Sequence, residues 1–178
     1  MKRIAVFCGA RAGRNDAYLP IAAQAGREIA RAGFGVVYGG GRVGMMGALA
    51  DAALAEGAEV IGVIPESLAT AEIAHRGVTK LHVVGSMHER KALMAGLADA
   101  FIALPGGIGT MDEFCEMLTW RQLGIHDKPV GLLNHDGFYD KLLELFDQML
   151  DAELLLPPTR ALLADAPTIA GLLEAFSR

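Results

Sequence analysis

Cysteine is scarce in this chain. Cys8 and Cys115 are the only two among 178 residues, they have no C-x-x-C spacing, and they fall in different predicted elements. That argues against a disulfide framework or a thiolate metal site and reads as two buried thiols. Excess positive charge is missing too: 16 Lys and Arg against 21 Asp and Glu give a net charge of -5. A polynucleotide partner is thereby disfavoured, because such binders present a basic surface to phosphates. A free nucleotide needs only a local cradle and stays open. Long apolar runs are absent as well. Asp51, Glu56, Asp99 and Asp112 interrupt the most hydrophobic stretches, so none approaches the roughly 18 residues a membrane span requires. The opening "MKRIAVFCGARAG" is too short in its apolar part for a signal peptide and reads as the first strand of a cytoplasmic protein. His75, His82, His126 and His135 form no metal-ligand spacing, and no metal or organic cofactor is expected.

What is present is a pattern of alternation. Hydrophobic residues make up 52% and charged ones 21%, a globular composition, and the length suits one domain spanning 1–178. "RIAVFC", "FGVVY", "EVIGVI", "KLHVV", "AFIAL" and "PVGLL" read as strands, apolar along their whole length as strands buried on both faces should be. Helical patterns separate them at about 16–32, 44–57, 87–98, 109–123 and 136–151. A short "ALLA" strand and a last helix, with Pro167 in its first turn, follow. The expected fold is α/β: a single Rossmann-like domain, a parallel sheet of six to seven strands with helices on both faces. Ligands of such sheets bind beyond the carboxyl ends of the strands. The irregular stretch at about 65–78, "PESLATAEIAHRGV", lies at such an end.

Two glycine-rich turns occupy the same edge. In "YGGGRVGMMG", Gly39, Gly41 and Gly44 satisfy G-x-G-x-x-G. The turn follows the second strand, however, and Glu59 begins a strand where a ribose ligand should end one, which argues against NAD or FAD. Glycines required only for a tight strand-to-helix turn remain an alternative. The physical content is an anion cradle, with Gly41 and Gly44 at the mouth of a helix. In "LPGGIGTMDE", Gly106, Gly107 and Gly109 turn the chain into the next helix and Thr110 adds a hydroxyl. Neither turn carries the Lys-Ser/Thr of a Walker A loop, so nucleoside triphosphate hydrolysis with magnesium is not indicated.

Carboxylates follow the second turn at once. Asp112 suits the positive end of the helix dipole. Glu113 and Glu116, three apart, share a face. Glu113 lies about 5 Å of rise inside the helix mouth, a ribose away from a phosphate held there, where positive charge develops if a glycosidic bond breaks. A solvated helix-face glutamate is the alternative. In "GSMHERKALM", Ser86 and Glu89 form a capping box. Arg90 and Lys91 then stand in an early turn that the dipole disfavours for cations, which points to an anionic partner, either a substrate phosphate or Glu113 itself.

"GGGRVGMMG", "MHERK" and "PGGIGTMDE", in that order, resemble the LOG ("lonely guy") family, whose hallmark is PGGxGTxxE. The resemblance runs from "VFCG" through "LTWRQLGIHDKPVGLLN" and covers essentially the whole chain. It implies a homodimer that hydrolyses the N-glycosidic bond of nucleoside 5'-monophosphates, cytokinin riboside 5'-monophosphate or AMP, to free base and ribose 5-phosphate. It assigns catalysis to Arg90 and Glu113, and substrate contacts to Glu72, Lys91, Gly107, Gly109, Thr110 and Thr119. Serines frequent in the family after the first strand are replaced by Ala10 and Arg11, and Asp112 stands where Glu is frequent. Arg11 and Arg42 add positive charge near the phosphate and bear on substrate preference. A rival reading is a nucleotide-binding or molybdenum-cofactor carrier protein, which needs the cradle but no Arg-Glu pair. Relatives are also labelled lysine decarboxylases. Of Lys2, Lys80, Lys91, Lys128 and Lys141, only Lys91 lies in a candidate pocket, and there it sits beside Arg90, a poor place for a Schiff base.

Overall fold

The computed structural model describes residues 1–70 and 73–177. Its strands are β1 (Arg3–Phe7), β2 (Gly35–Tyr38), β3 (Val60–Pro65), β4 (Lys80–Val84), β5 (Ala100–Ala103), β6 (Val130–Leu133) and β7 (Leu163–Ala166). They form one sheet in the order β4-β3-β2-β1-β5-β6-β7, parallel throughout. The helices are α1 (Leu19–Arg31), α2 (Gly44–Ala55), α3 (Met87–Leu97), α4 (Ile108–Gln122), α5 (Asp140–Asp151), α6 (Pro157–Arg160) and α7 (Ile169–Phe176).

Successive strand residues point to opposite faces, and both faces are covered. On one side Ile4 and Val6 pack with Ile29 of α1, Leu49 of α2 and Leu172 of α7. On the other, Ala5 and Phe7 pack with Met94 of α3, Phe114 of α4 and Phe146 of α5. This is the α/β architecture expected from the alternating pattern, and burial on both faces explains why β1, β2, β3, β5 and β6 are continuously apolar, whereas the edge strands β4 and β7 are largely uncovered.

Boundaries differ where the backbone turns left-handed. α1 begins at Leu19, not near 16, because a 3-10 turn at Arg14–Asp16 intervenes with Asn15 and Asp16 at φ 52° and 56°. α5 begins at Asp140, not near 136, after a similar turn with Asp136 at φ 50°. Asn and Asp tolerate that conformation better than other side chains. β7 starts two residues later than the "ALLA" reading, and the short α6 was not expected from the pattern. Pro167 lies outside the last helix: Thr168 caps it, its side chain accepting from the Gly171 N–H at 3.1 Å.

Strand order reverses direction at β1, which has β2 on one side and β5 on the other. The chain leaves the carboxyl ends of those two strands in diverging directions, which opens a crevice between them. Behind it, fully buried Phe101 of β5 stacks on Phe7, with ring centroids 6.1 Å apart, and meets the His126 ring at a tilt of 43°, 5.2 Å away. Phe101→Ala is expected to cost about 3–5 kcal/mol in urea unfolding. A loss under about 1 kcal/mol would mean that the wall behind the crevice can collapse without penalty.

Candidate active site

A cavity of about 560 Å³ occupies that crevice, and its lining includes Cys8 and Gly9 after β1, Gly39 after β2, and Pro105, Gly106 and Gly107 after β5. Gly107 is the N-cap of α4 and offers no side-chain cap. The first intrahelical bond is made by the Met111 N–H to the Gly107 carbonyl, 3.1 Å. The N–H groups of Ile108, Gly109 and Thr110 therefore have no helical partner, and they carry the positive end of the dipole. Gly107, Gly109 and Thr110 all line the cavity. Thr110 is buried against the turn so closely that a Cβ at Gly106 would lie 2.1 Å from its hydroxyl.

Arg90 enters from α3. Ser86 caps that helix by accepting from the Glu89 N–H at 3.1 Å, and Glu89 in return accepts from the Gly85 N–H at 2.7 Å. The side chain of Arg90 spans the strand ends. Its Nε donates to the Val63 carbonyl at 3.0 Å, Nη2 to the Gly39 carbonyl at 3.2 Å, and Nη1 to Glu113 Oε1 at 3.1 Å. A Cβ at Gly39 would stand 2.0 Å from Nη2, so only glycine leaves room for the guanidinium. Arg90 and Glu113 are 9% and 7% exposed. Burial of the Glu113 carboxyl outweighs the pull of Arg90 and, with a push from Asp112, raises its pKa from 4.5 to about 7. Such a carboxyl gains and loses its proton near neutrality. Glu113 Oε2 has no hydrogen bond among the described residues, and the residue lines the cavity.

The remaining expected contacts are distributed differently. Lys91, one position on from Arg90, is turned about 100° around the helix. Its Nζ meets Asp112 Oδ2 at 3.0 Å and Glu116 Oε2 at 3.2 Å, outside the cavity lining. Burial lowers its pKa, but these two carboxylates raise it by more. Thr119 is exposed and donates its hydroxyl to the Cys115 carbonyl one turn back, 2.7 Å. Gly41 and Gly44 do not line the cavity. Gly41 bridges to Ala74, while Gly44, at φ 62°, packs where a Cβ would lie 2.2 Å from the Ala10 carbonyl oxygen. Glu72 lies outside the described residues. Arg11, expected to add positive charge near the phosphate, lines the cavity, whereas Arg42 does not. Tyr18, Met45, Met46 and Phe138 line it without having been singled out as contacts.

The sequence pattern of a family described as "Possible lysine decarboxylase" matches residues 46–176. A "Probable cytokinin riboside 5'-monophosphate phosphoribohydrolase LOGL1" of Oryza sativa subsp. japonica is 52% identical over 97% of this chain and 77% of its own length. The chain belongs to the LOG family. A second LOG-family relative, the cytokinin riboside 5'-monophosphate phosphoribohydrolase of Rhodococcoides fascians, is 51% identical over 98% of this chain and 89% of its own. Among solved structures, the molybdenum cofactor carrier protein of Chlamydomonas reinhardtii superposes with a TM-score of 0.73 at 26% identity, covering 99% of this chain and 97% of that one. The LOG fold is thus shared with a protein named as a carrier, and the site must distinguish the two.

The Arg90 seat predicts an asymmetry between two cavity glycines. Gly39→Ala should lose about 1–3 kcal/mol in denaturant unfolding through overpacking. Gly107→Ala, where an added Cβ meets nothing within 4 Å, should be nearly neutral. Equal stabilities for the two variants would show that Arg90 is not seated against Gly39.

Proposed function

We propose that this protein is an N-glycosidase that hydrolyses nucleoside 5'-monophosphates, cytokinin riboside 5'-monophosphate or AMP, to free base and ribose 5-phosphate. The observation that carries the reading is a buried carboxyl raised to about 7, one helical turn inside the open N-terminus of α4 and hydrogen-bonded to Arg90. The 5'-phosphate sits on the unpaired N–H groups around Gly107, Gly109 and Thr110. Glu113 then faces the ribose. As the base departs, positive charge builds on the sugar, and the Glu113 carboxylate stabilises it while orienting and deprotonating the attacking water. Arg90, fixed by two carbonyls, holds Glu113 in place and offers its guanidinium edge to the ribose side. In this reading Lys91 and Thr119 contribute from the α3–α4 surface, Gly41 and Gly44 support the turn after β2, and Glu72 contacts the substrate. The protein acts in the cytoplasm as a homodimer.

Two observations weigh against the other labels. A carrier needs the cradle but has no use for a buried carboxyl poised near neutrality. A decarboxylase forming a Schiff base needs a free amine, whereas the Lys91 ammonium is held by two carboxylates.

Incubation with a panel of nucleoside monophosphates should release base and ribose 5-phosphate from AMP or its N6-substituted analogues. Glu113→Gln should lose about 10²–10⁴-fold in rate while remaining folded. Because the folded pKa is raised and the ionised carboxylate is the active form, kcat/KM should climb with pH and level off above about 7. Near wild-type turnover by Glu113→Gln would remove Glu113 from the chemistry. Copurification of a pterin with no base release would favour the carrier.

A further inference from the structure

Most charge around the cavity is already committed. Arg90 is paired with Glu113 at 3.1 Å, and Lys91 is paired with Asp112 and Glu116 outside the lining. Arg11 is the exception. It lines the cavity and is exposed, and among the described residues it takes part in no hydrogen bond or ion pair.

Its place in the fold is fixed at the root and free at the tip. The preceding residues leave β1 between the two glycine turns: the Gly9 N–H donates to the Pro105 carbonyl at 3.4 Å. On the other side, a Cβ at Gly44 in the first turn of α2 would be 3.2 Å from the Arg11 backbone nitrogen. The backbone at 9–11 is therefore wedged between the start of α2 and the turn that opens α4. The side chain rises at the edge of the same cavity that the α4 N-terminus faces.

We infer that Arg11 is the binding residue that supplies the counter-charge for the substrate's 5'-phosphate. This rests on the proposed hydrolysis of nucleoside monophosphates. A phosphate monoester carries close to two negative charges at neutral pH, whereas a helix N-terminus offers about half a positive charge. Arg90 is committed to Glu113 and to two backbone carbonyls, so the rest must come from elsewhere. A guanidinium matches two phosphate oxygens at once and keeps its charge at any working pH. Arg11 thus selects phosphorylated substrates over bare nucleosides, while bond cleavage remains with Glu113.

The test pairs kinetics with a binding readout that needs no turnover. Wild type, Arg11→Gln and Arg11→Lys are titrated calorimetrically with ribose 5-phosphate and with ribose, and assayed on AMP and adenosine at low and high salt. Arg11 has no partners to lose, so the variants should fold as wild type does. Expected for Arg11→Gln are a Kd for ribose 5-phosphate and a KM for AMP raised about tenfold, the scale of one charge-assisted hydrogen bond. Its kcat should be unchanged, its salt dependence flatter, and its handling of ribose and adenosine unaltered, with Arg11→Lys recovering much of the loss. The inference is overturned if Arg11→Gln leaves Kd and KM unchanged, if it lowers kcat with KM intact, or if wild type binds ribose 5-phosphate no better than ribose. Should wild type release base from no monophosphate, the proposed hydrolysis fails, and the ribose 5-phosphate titration still decides the role of Arg11.

Discussion

The buried ion pair between Arg90 and Glu113 is the interaction on which the rest of the site depends. Taking two charges out of water costs several kcal/mol per ion, which mutual attraction offsets only when the other donors are also satisfied. Here they are: two backbone carbonyls, at Val63 in β3 and Gly39 after β2, occupy the guanidinium on the sheet side. Four elements thus converge on one side chain. The pair ties α3 and α4 to the carboxyl edge of the sheet at the place where strand order reverses. It also leaves Glu113 in an environment where burial, not the arginine, decides its proton affinity.

Around this pair the fold separates two kinds of charge. The open start of α4 presents N–H groups to the cavity, and the acids that follow, none of them in the first turn, do not cancel them. Asp112 and Glu116 are turned toward Lys91 on the α3 side, while Glu113 points to Arg90. Acids close to an anion site are therefore consistent: Asp112 and Glu116 share Lys91, Glu113 has Arg90, and only Glu113 belongs to the cavity.

The sheet and its helices were legible because strands buried on both faces must be apolar throughout, and helices of a dozen residues repeat their own period. Helix starts were less so, because Asn15, Asp16 and Asp136 adopt a left-handed backbone that no hydrophobic pattern announces. In the site, Arg90 and Glu113 stood out through cations in an unfavourable helical turn and a carboxylate one turn from a glycine mouth. Their partnership at 3.1 Å was one of the two partners proposed for Arg90. The seat at Gly39 was hidden, since a glycine that makes room for a side chain 51 residues away looks like any turn glycine. Helix phase moved Lys91 out of the cavity. The turn after β2 uses Gly41 and Gly44 for chain pairing and close packing, as the plain turn reading allowed.

The most direct measurement is the protonation of Glu113 itself, followed by NMR of the side-chain carboxyl carbon in protein carrying labelled glutamate, with Glu113→Gln identifying the signal. A midpoint near 7, rising further when Arg90 is replaced by Met, is the predicted result. A midpoint at or below the ordinary 4.5 would contradict it, because the arginine and not burial would then govern the carboxylate.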